Sequence, residues 1–511
     1  MEKRIVIIGT GPTGLGAAYR LKELGYTNFA VYDRQSEIGG LASSFKDSAG
    51  FTWDIGGHVM FSHYKYYDDV FDRLMGDEFQ MNMRECWVRM FDNWVPYPFQ
   101  NNIRHLPKDV TYECLIGLVE AQTKRDYKTA ANFNEFIHAV FGDGIAKHFM
   151  KPYNFKVWAH PPEMMNKEWI GERVAVLDIN RAIKNVVMQS DDFGWGPNNQ
   201  FKFPLRGGTG EFYRRFAKPL EGHVHLNKAV DFINLIKKEI RFADGEIQKY
   251  GQLISTMPVD KLCNDVLNGE VPRHIKKQAA SLKHSGGYMV GIGLKQPCPS
   301  SKSWMYFPES NCPFYRVTYL SNYSPYMTPD NKTHYSLLCE TSYSEFKEVD
   351  GSRIVEDTIQ GLINAGLLKE EDRKDIVDTW VYNAKYSYPT PTVERDSILA
   401  EVIPFLEQHE IYSRGRFGMW KYEVSNTDHS LMQGVELVNR LLLDEPEVTI
   451  GMTYASTGDG RNAAVHQRSA HAGSGEKRNL VSALDQPGDK EESHISEEEL
   501  GVTSTQESLA K

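Results

Sequence analysis

No run of about 18 apolar residues occurs in the 511-residue chain, so no membrane-spanning helix is expected. At the N-terminus, MEKRIVIIGTG offers only Ile5 to Ile8 before its glycines, too short for a secretory signal core. The six cysteines, at 86, 114, 263, 298, 312 and 339, are scattered without a Cys-x-x-Cys pair. That spacing suggests neither a disulfide framework nor a zinc site, so a soluble chain in a reducing cytoplasm is expected, with no membrane partner. Basic residues are also short: 58 Lys and Arg against 68 Asp and Glu give a net charge of −10. A nucleic-acid partner is not expected, because there is no excess to neutralise a phosphate backbone. From Ala455 onward there is no Phe, Trp or Tyr, and runs such as GDKEESHISEEEL predict a disordered acidic tail over 455–511. The chain carries no Gly-x-Ser-x-Gly elbow, no His-Glu-x-x-His and no recognisable catalytic carboxylate pair.

What is present begins at once. Arg4 to Ile8 reads as a buried parallel strand, Thr13 to Leu24 as a helix and Asn28 to Tyr32 as a second strand. Gly9, Gly11 and Gly14 lie at the first strand-to-helix turn, where missing side chains let a pyrophosphate approach the backbone and the helix N-terminus. Asp33, 19 residues past Gly14, ends the second strand, where a carboxylate accepts hydrogen bonds from an adenosine ribose. Gly39, Gly40 and Leu41, then Gly56, Gly57 and His58, follow at a spacing similar to two-dinucleotide flavoproteins, which favours FAD over a nicotinamide as the resident cofactor. Bare backbone at Gly56 and Gly57 would let a flat ring approach. Helical periodicity over 106–189 predicts an inserted helical lobe. KKEIRFADGEIQ predicts a hairpin, and 288–294, 304–307 and 335–340 predict an antiparallel sheet. His223 and His225 admit a metal reading, but no third ligand is near in sequence, so solvated strand residues are expected and no metal is.

The segments WVPYPFQNN (94–102), PYNFKVWA (152–159), GERVA (171–175), GWGPN (194–198), FPLRGGTG (203–210), YFPESNCPFYRVTYLSNYSPY (306–326), YPTPT (388–392) and RGRFGMWKYEVSNTDHSLMQG (414–434) occur in that order. Their combination resembles the UDP-galactopyranose mutases of the longer, eukaryotic type, over about residues 1–440. The resemblance implies an α/β fold: a Rossmann-like FAD-binding domain in three parts (1–80, 201–265 and 395–454) with an inserted helical lobe and mobile substrate flap (101–200). An antiparallel β-sheet substrate domain (81–100 and 266–394) completes it.

The same resemblance implies the site. Arg173 and Arg316 would hold the diphosphate of a UDP-sugar, with Tyr323, Tyr388 and Tyr422 around it; arginine forks and phenolic hydroxyls suit such oxygens. Phe99 and Gln100 match the uracil end, and Asn198 the flap. Arg84, Trp304 and Tyr306 match the substrate cleft, Asn426 a position near sugar and flavin, and Arg416 a place beside the flavin. Thr427 stands where a glutamine is expected, and Gly194 where a polar flap residue can stand. The implied reaction interconverts UDP-galactopyranose and UDP-galactofuranose for glycan synthesis. Reduced flavin N5 is the nucleophile on the anomeric carbon, UDP the leaving group, and NADPH or NADH the reductant. His58 is expected to act through its loop backbone on the redox state of the flavin, with Phe61 on the substrate side, and His63 is expected in the following helix. Two other readings stand beside this one: an oxidoreductase of the amine oxidase or desaturase type, which needs an apolar tunnel, and a non-catalytic nucleotide-sugar or redox sensor. The sequence is silent on oligomeric state.

Overall fold

Five short strands lie parallel in the order Ile411–Ser413, Gln252–Ser255, Ile5–Ile8, Phe29–Tyr32, Val224–His225. The two central strands, Ile5–Ile8 and Phe29–Tyr32, are apolar throughout because both faces are covered. Alternate residues of the first strand serve the two faces. Ile5 and Ile7 pack with Leu15, Leu431 and Val435 from the helices Pro12–Glu23 and Thr427–Leu443. Val6 and Ile8 pack with Ile240, Leu253 and Val402 on the other side. The two helices touch backbone to backbone: a Cβ on Gly434 would lie 2.0 Å from Thr13 O. The computed structural model describes residues 3–170, 179–193, 200–268 and 271–452; the expected tail lies outside them.

The ADG hairpin forms between Glu239–Phe242 and Ile247–Lys249, within a small four-stranded sheet. Val224–His225 is the edge strand of the parallel sheet; His225 is exposed, as expected of a solvated strand residue, and His223 just before the strand is half-buried. The ring of His223 stacks on Phe29 and that of His225 on Tyr32.

A second, seven-stranded sheet runs Ile376–Pro389, His284–Leu294, Tyr335–Tyr343, Arg316–Tyr319, Trp304–Tyr306, Cys86–Met90, Asn93–Pro96. It is antiparallel as expected except at one place, where Trp304–Tyr306 pairs with Cys86–Met90 in parallel. The helices Lys108–Lys124, Phe133–Ile145 and Lys151–Trp158 share a core around Cys114, Leu118, Phe133 and Phe149, as the periodicity indicated. His63 is not in the helix that follows it. That helix begins at Lys65, and Tyr64 at its N-cap position is extended. His63 is instead held by Asp428, a contact that no local pattern encodes.

Candidate functional site

The glycine turn is closed by its own backbone. A Cβ on Gly14 would lie 1.9 Å from Gly9 O, and one on Gly9, whose φ is +107°, 1.9 Å from Thr256 Oγ1. Gly11 packs against Gly39 and Gly40, so the loop 39–41 lies over the start of the first helix. That helix has Gly11 as its N-cap residue and no side-chain cap, which leaves amides and the positive helix end for an anion. Asp33 accepts from Thr10 N (2.7 Å), Thr10 Oγ1 (2.8 Å) and Gln35 N (2.9 Å), a fixed carboxylate beside the cradle. These features fit a dinucleotide.

Gly56 and Gly57 abut the seven-stranded sheet. A Cβ on Gly57 would stand 2.6 Å from Thr318 Oγ1, and one on Gly56, where φ is +94°, 3.5 Å from Glu340 Oε2. Bare backbone is therefore required at Gly57 by close approach to Thr318 and at Gly56 by its positive φ. His58 Nδ1 is buried and has no hydrogen-bond partner in the protein. Burial and then the nearby Arg316 cation push its pKa down to about 4, so the imidazole is neutral at pH 7.

Glu340 is the residue that organises the site, and sequence reasoning missed it. Its carboxylate, 1% exposed, accepts from Arg316 Nε (2.6 Å) and Nη2 (2.8 Å), Tyr315 Oη (2.8 Å) and Gly57 N (3.1 Å). Burial alone would raise its pKa, but the Arg316 guanidinium holds it below the usual carboxylate range. Arg316 loses by burial and gains more from Glu340, so it stays charged. Two of its five N–H groups are committed to Glu340, and the fork keeps the others. One signal was available: Glu340 is the single charged residue in the buried strand YSLLCETSY.

Around this pair the aromatics gather. Tyr306 lies opposite Arg316 in strand register and accepts from Trp304 Nε1 at 2.7 Å, while the guanidinium of Arg84 sits 5.0 Å from the Trp304 ring. Tyr97 and Tyr153 pack on Tyr306, each at 5.3 Å, and are further residues the sequence did not single out. Tyr315 Oη lies 3.3 Å from Tyr388 Oη, and Tyr388 lies 5.6 Å from Tyr422. Arg416 caps both rings, at 4.9 and 5.5 Å, and donates to Ser387 O and Ser425 O. Tyr323 is buried between Phe201 and Phe203 with no partner for its hydroxyl. Asn426 is the N-cap residue of Thr427–Leu443.

Two expected residues sit deeper. Phe99 is 0% exposed and stacks on Phe149 at 4.2 Å inside the helical core, and its neighbour Gln100 is 2% exposed. Thr427 faces the hydroxyls of Tyr67 and Tyr213. Arg173, Asn198 and Gly194 lie outside the described residues. No helix among the described residues is long and apolar enough to cross a membrane.

The glycine turn, the uncapped helix start and Asp33 form a dinucleotide cradle, and residues 12–410 match the flavin containing amine oxidoreductase family, to which the chain belongs. A crystal structure of a reduced UDP-galactopyranose mutase is 44% identical, covers 88% of this chain and 96% of its own, and superposes with a TM-score of 0.84. The chain is thereby placed among the UDP-galactopyranose mutases. Other similarities are more distant. A putative protoporphyrinogen oxidase from Exiguobacterium sp. 255-15 shares the fold, with a TM-score of 0.64 at 15% identity over 87% of this chain and 100% of its own. A probable flavin-containing monoamine oxidase A of Dictyostelium discoideum is 32% identical over 25% of this chain, a match spanning only 26% of that relative.

Proposed function

We propose that this chain interconverts UDP-galactopyranose and UDP-galactofuranose on reduced FAD, and that Arg316 holds the diphosphate. The observation that carries the reading is the convergence of Arg316 and the Gly57 peptide on one carboxylate, Glu340, which fixes a substrate-binding cation against the expected flavin loop. Gly9, Gly11, Gly14, Asp33, Gly39, Gly40 and Leu41 would hold the adenosine and pyrophosphate; Gly56, Gly57, His58, Arg416 and Asn426 would face the ring. Reduced flavin supplies the nucleophile at the anomeric carbon. The chain's own task is positioning and charge stabilisation.

Arg316, with Arg173, receives the negative charge that develops on the leaving diphosphate and keeps UDP in place for its return. Tyr323, whose buried hydroxyl has no protein partner, together with Tyr388 and Tyr422, donates to the same oxygens. Arg84, Trp304, Tyr306 and Asn198 line the sugar side, with Phe99 and Gln100 behind the uracil end. His58, neutral at pH 7, acts through its loop rather than as an acid. NADPH or NADH is the proposed reductant. The charged, hydroxyl-rich lining disfavours an amine or hydrocarbon oxidase, which needs an apolar tunnel.

The test is incubation of pure, chemically reduced protein with UDP-galactofuranose, followed by chromatography. UDP-galactopyranose is the expected product; UDP binding without conversion would replace this reading with that of a sensor.

A further inference from the structure

The loop from Gly56 to His63 is held at both ends by buried carboxylates. Gly57 N–H donates to Glu340 Oε1 at 3.1 Å, and His63 N–H donates to Asp428 Oδ2 at 3.0 Å. The two carboxylates are balanced in different ways. Glu340 faces a guanidinium, which does not deprotonate in proteins. Asp428, 0% exposed, lies between two imidazoles, with His63 Nδ1 at 2.6 Å and His429 Nδ1 at 3.3 Å, and imidazole charge changes near neutral pH.

Three candidate metal-ligand atoms thus meet within 4.8 Å. The 2.6 Å contact is nonetheless a hydrogen bond, since two ligands sharing a tetrahedral zinc ion stand about 3.3 Å apart. Among the described residues, phenols also stand against the cluster. Tyr64 meets His429 edge-on at 5.6 Å, and Tyr67 and Tyr213 approach Asp428 from the helices Lys65–Met75 and Thr209–Ala217. One more acid lies behind Tyr64: its hydroxyl meets Thr449 Oγ1, which donates to Glu436. Asp428 also occupies the first turn of Thr427–Leu443, where the positive helix end favours its negative charge.

We propose that the His63–Asp428–His429 cluster stores a proton in step with reduction of the bound flavin. This rests on the flavin reading above. A hydride donor, the reduced nicotinamide, delivers two electrons and one proton to the flavin, and the cluster takes one further proton from solvent onto an imidazole. Hydride delivery leaves the flavin one charge more negative, and an imidazolium beside Asp428, at the far end of the loop expected against the ring, offsets that charge. The protonated pair then holds the His63 end of the loop more firmly, so the loop is fastened at both ends when the flavin is reduced.

The test is the reduction potential of FAD-loaded protein between pH 6 and 8.5, measured by dye equilibration. The absorbance of the reduced flavin at each pH counts the ring's own protons. Each proton that accompanies two electrons contributes about 30 mV per pH unit. Wild-type protein is expected to take up one proton more than the ring accounts for, and His63→Gln and His429→Gln are expected to lose it, with FAD still bound. A wild-type slope explained by the ring alone, or equal slopes in wild type and both variants, overturns the proposal. If either variant fails to fold, the wild-type proton count decides. Failure of the protein to bind FAD at all would instead remove the flavin reading on which the proposal stands.

Discussion

The two sheets meet their expected ligands with different parts of the chain. The end of the parallel sheet presents bare backbone: glycines at 9, 11 and 14, an uncapped helix start, and one carboxylate at Asp33. The seven-stranded sheet presents side chains: the Arg316 fork, Glu340 and a set of tyrosines. Backbone recognition is unforgiving, because no substituent fits where a Cβ would stand 1.9 Å from a carbonyl oxygen. Side-chain recognition is graded, because each group can be trimmed while the strand beneath it remains.

The largest effect is expected where the backbone is used. Gly14→Val should abolish FAD binding, read as loss of flavin absorbance in the purified protein, since the new side chain collides with Gly9 O. A yellow Gly14→Val protein would break the contrast between the two sheets.

Arg316→Ala should leave FAD bound while mutase activity falls by about a hundredfold or more. It should also lower stability by about 3–5 kcal/mol, since a buried Glu340 loses its partner. Activity near wild type would refute the role given to Arg316. Glu340→Gln is expected to be milder, about tenfold in activity, with FAD retained. The amide oxygen still accepts from Gly57 N–H or from the guanidinium, but the charge that orients the fork is gone.

The smallest expected change is at His58. His58→Ala should slow flavin reduction more than it weakens UDP binding, as stopped-flow reduction and UDP titration would show. Its pH signature has a definite sign. The unfolded imidazole binds a proton below about 6.5, the folded one only near 4, so in that window the unfolded state holds more protons and wild-type stability falls as pH drops. Thermal melts of His58→Ala should show a flatter fall between pH 6.5 and 4.

The legible part of the sequence was the local part. The Ile5–Ile8 strand, the glycine turn and the Asp-Gly hairpin each declare themselves within a dozen residues, because their hydrogen bonds close nearby. Arg316, Tyr388 and Arg416 were placed by a family resemblance, because no local pattern marks them. Glu340 and Asp428 were not found, since their loop partners lie 283 and 365 residues away and a lone acid in a strand or first helical turn has ordinary local explanations. His63 was assigned to a helix because its tyrosine neighbours carry helical spacing. The tertiary bond to Asp428 is what holds it outside.

Those same separations set a schedule. A chain emerges from the ribosome N-terminus first, and contacts between distant residues are the slow ones to form. The glycine turn can fold against its first helix early, but residues 56–63 wait for Lys202, which pairs with Met60, and then for Glu340 and Asp428. The strand Cys86–Met90 likewise waits for Trp304–Tyr306. The nascent protein therefore passes through a long interval in which half of a nucleotide cradle exists without the wall that completes it, and maturation is timed by the last third of the chain.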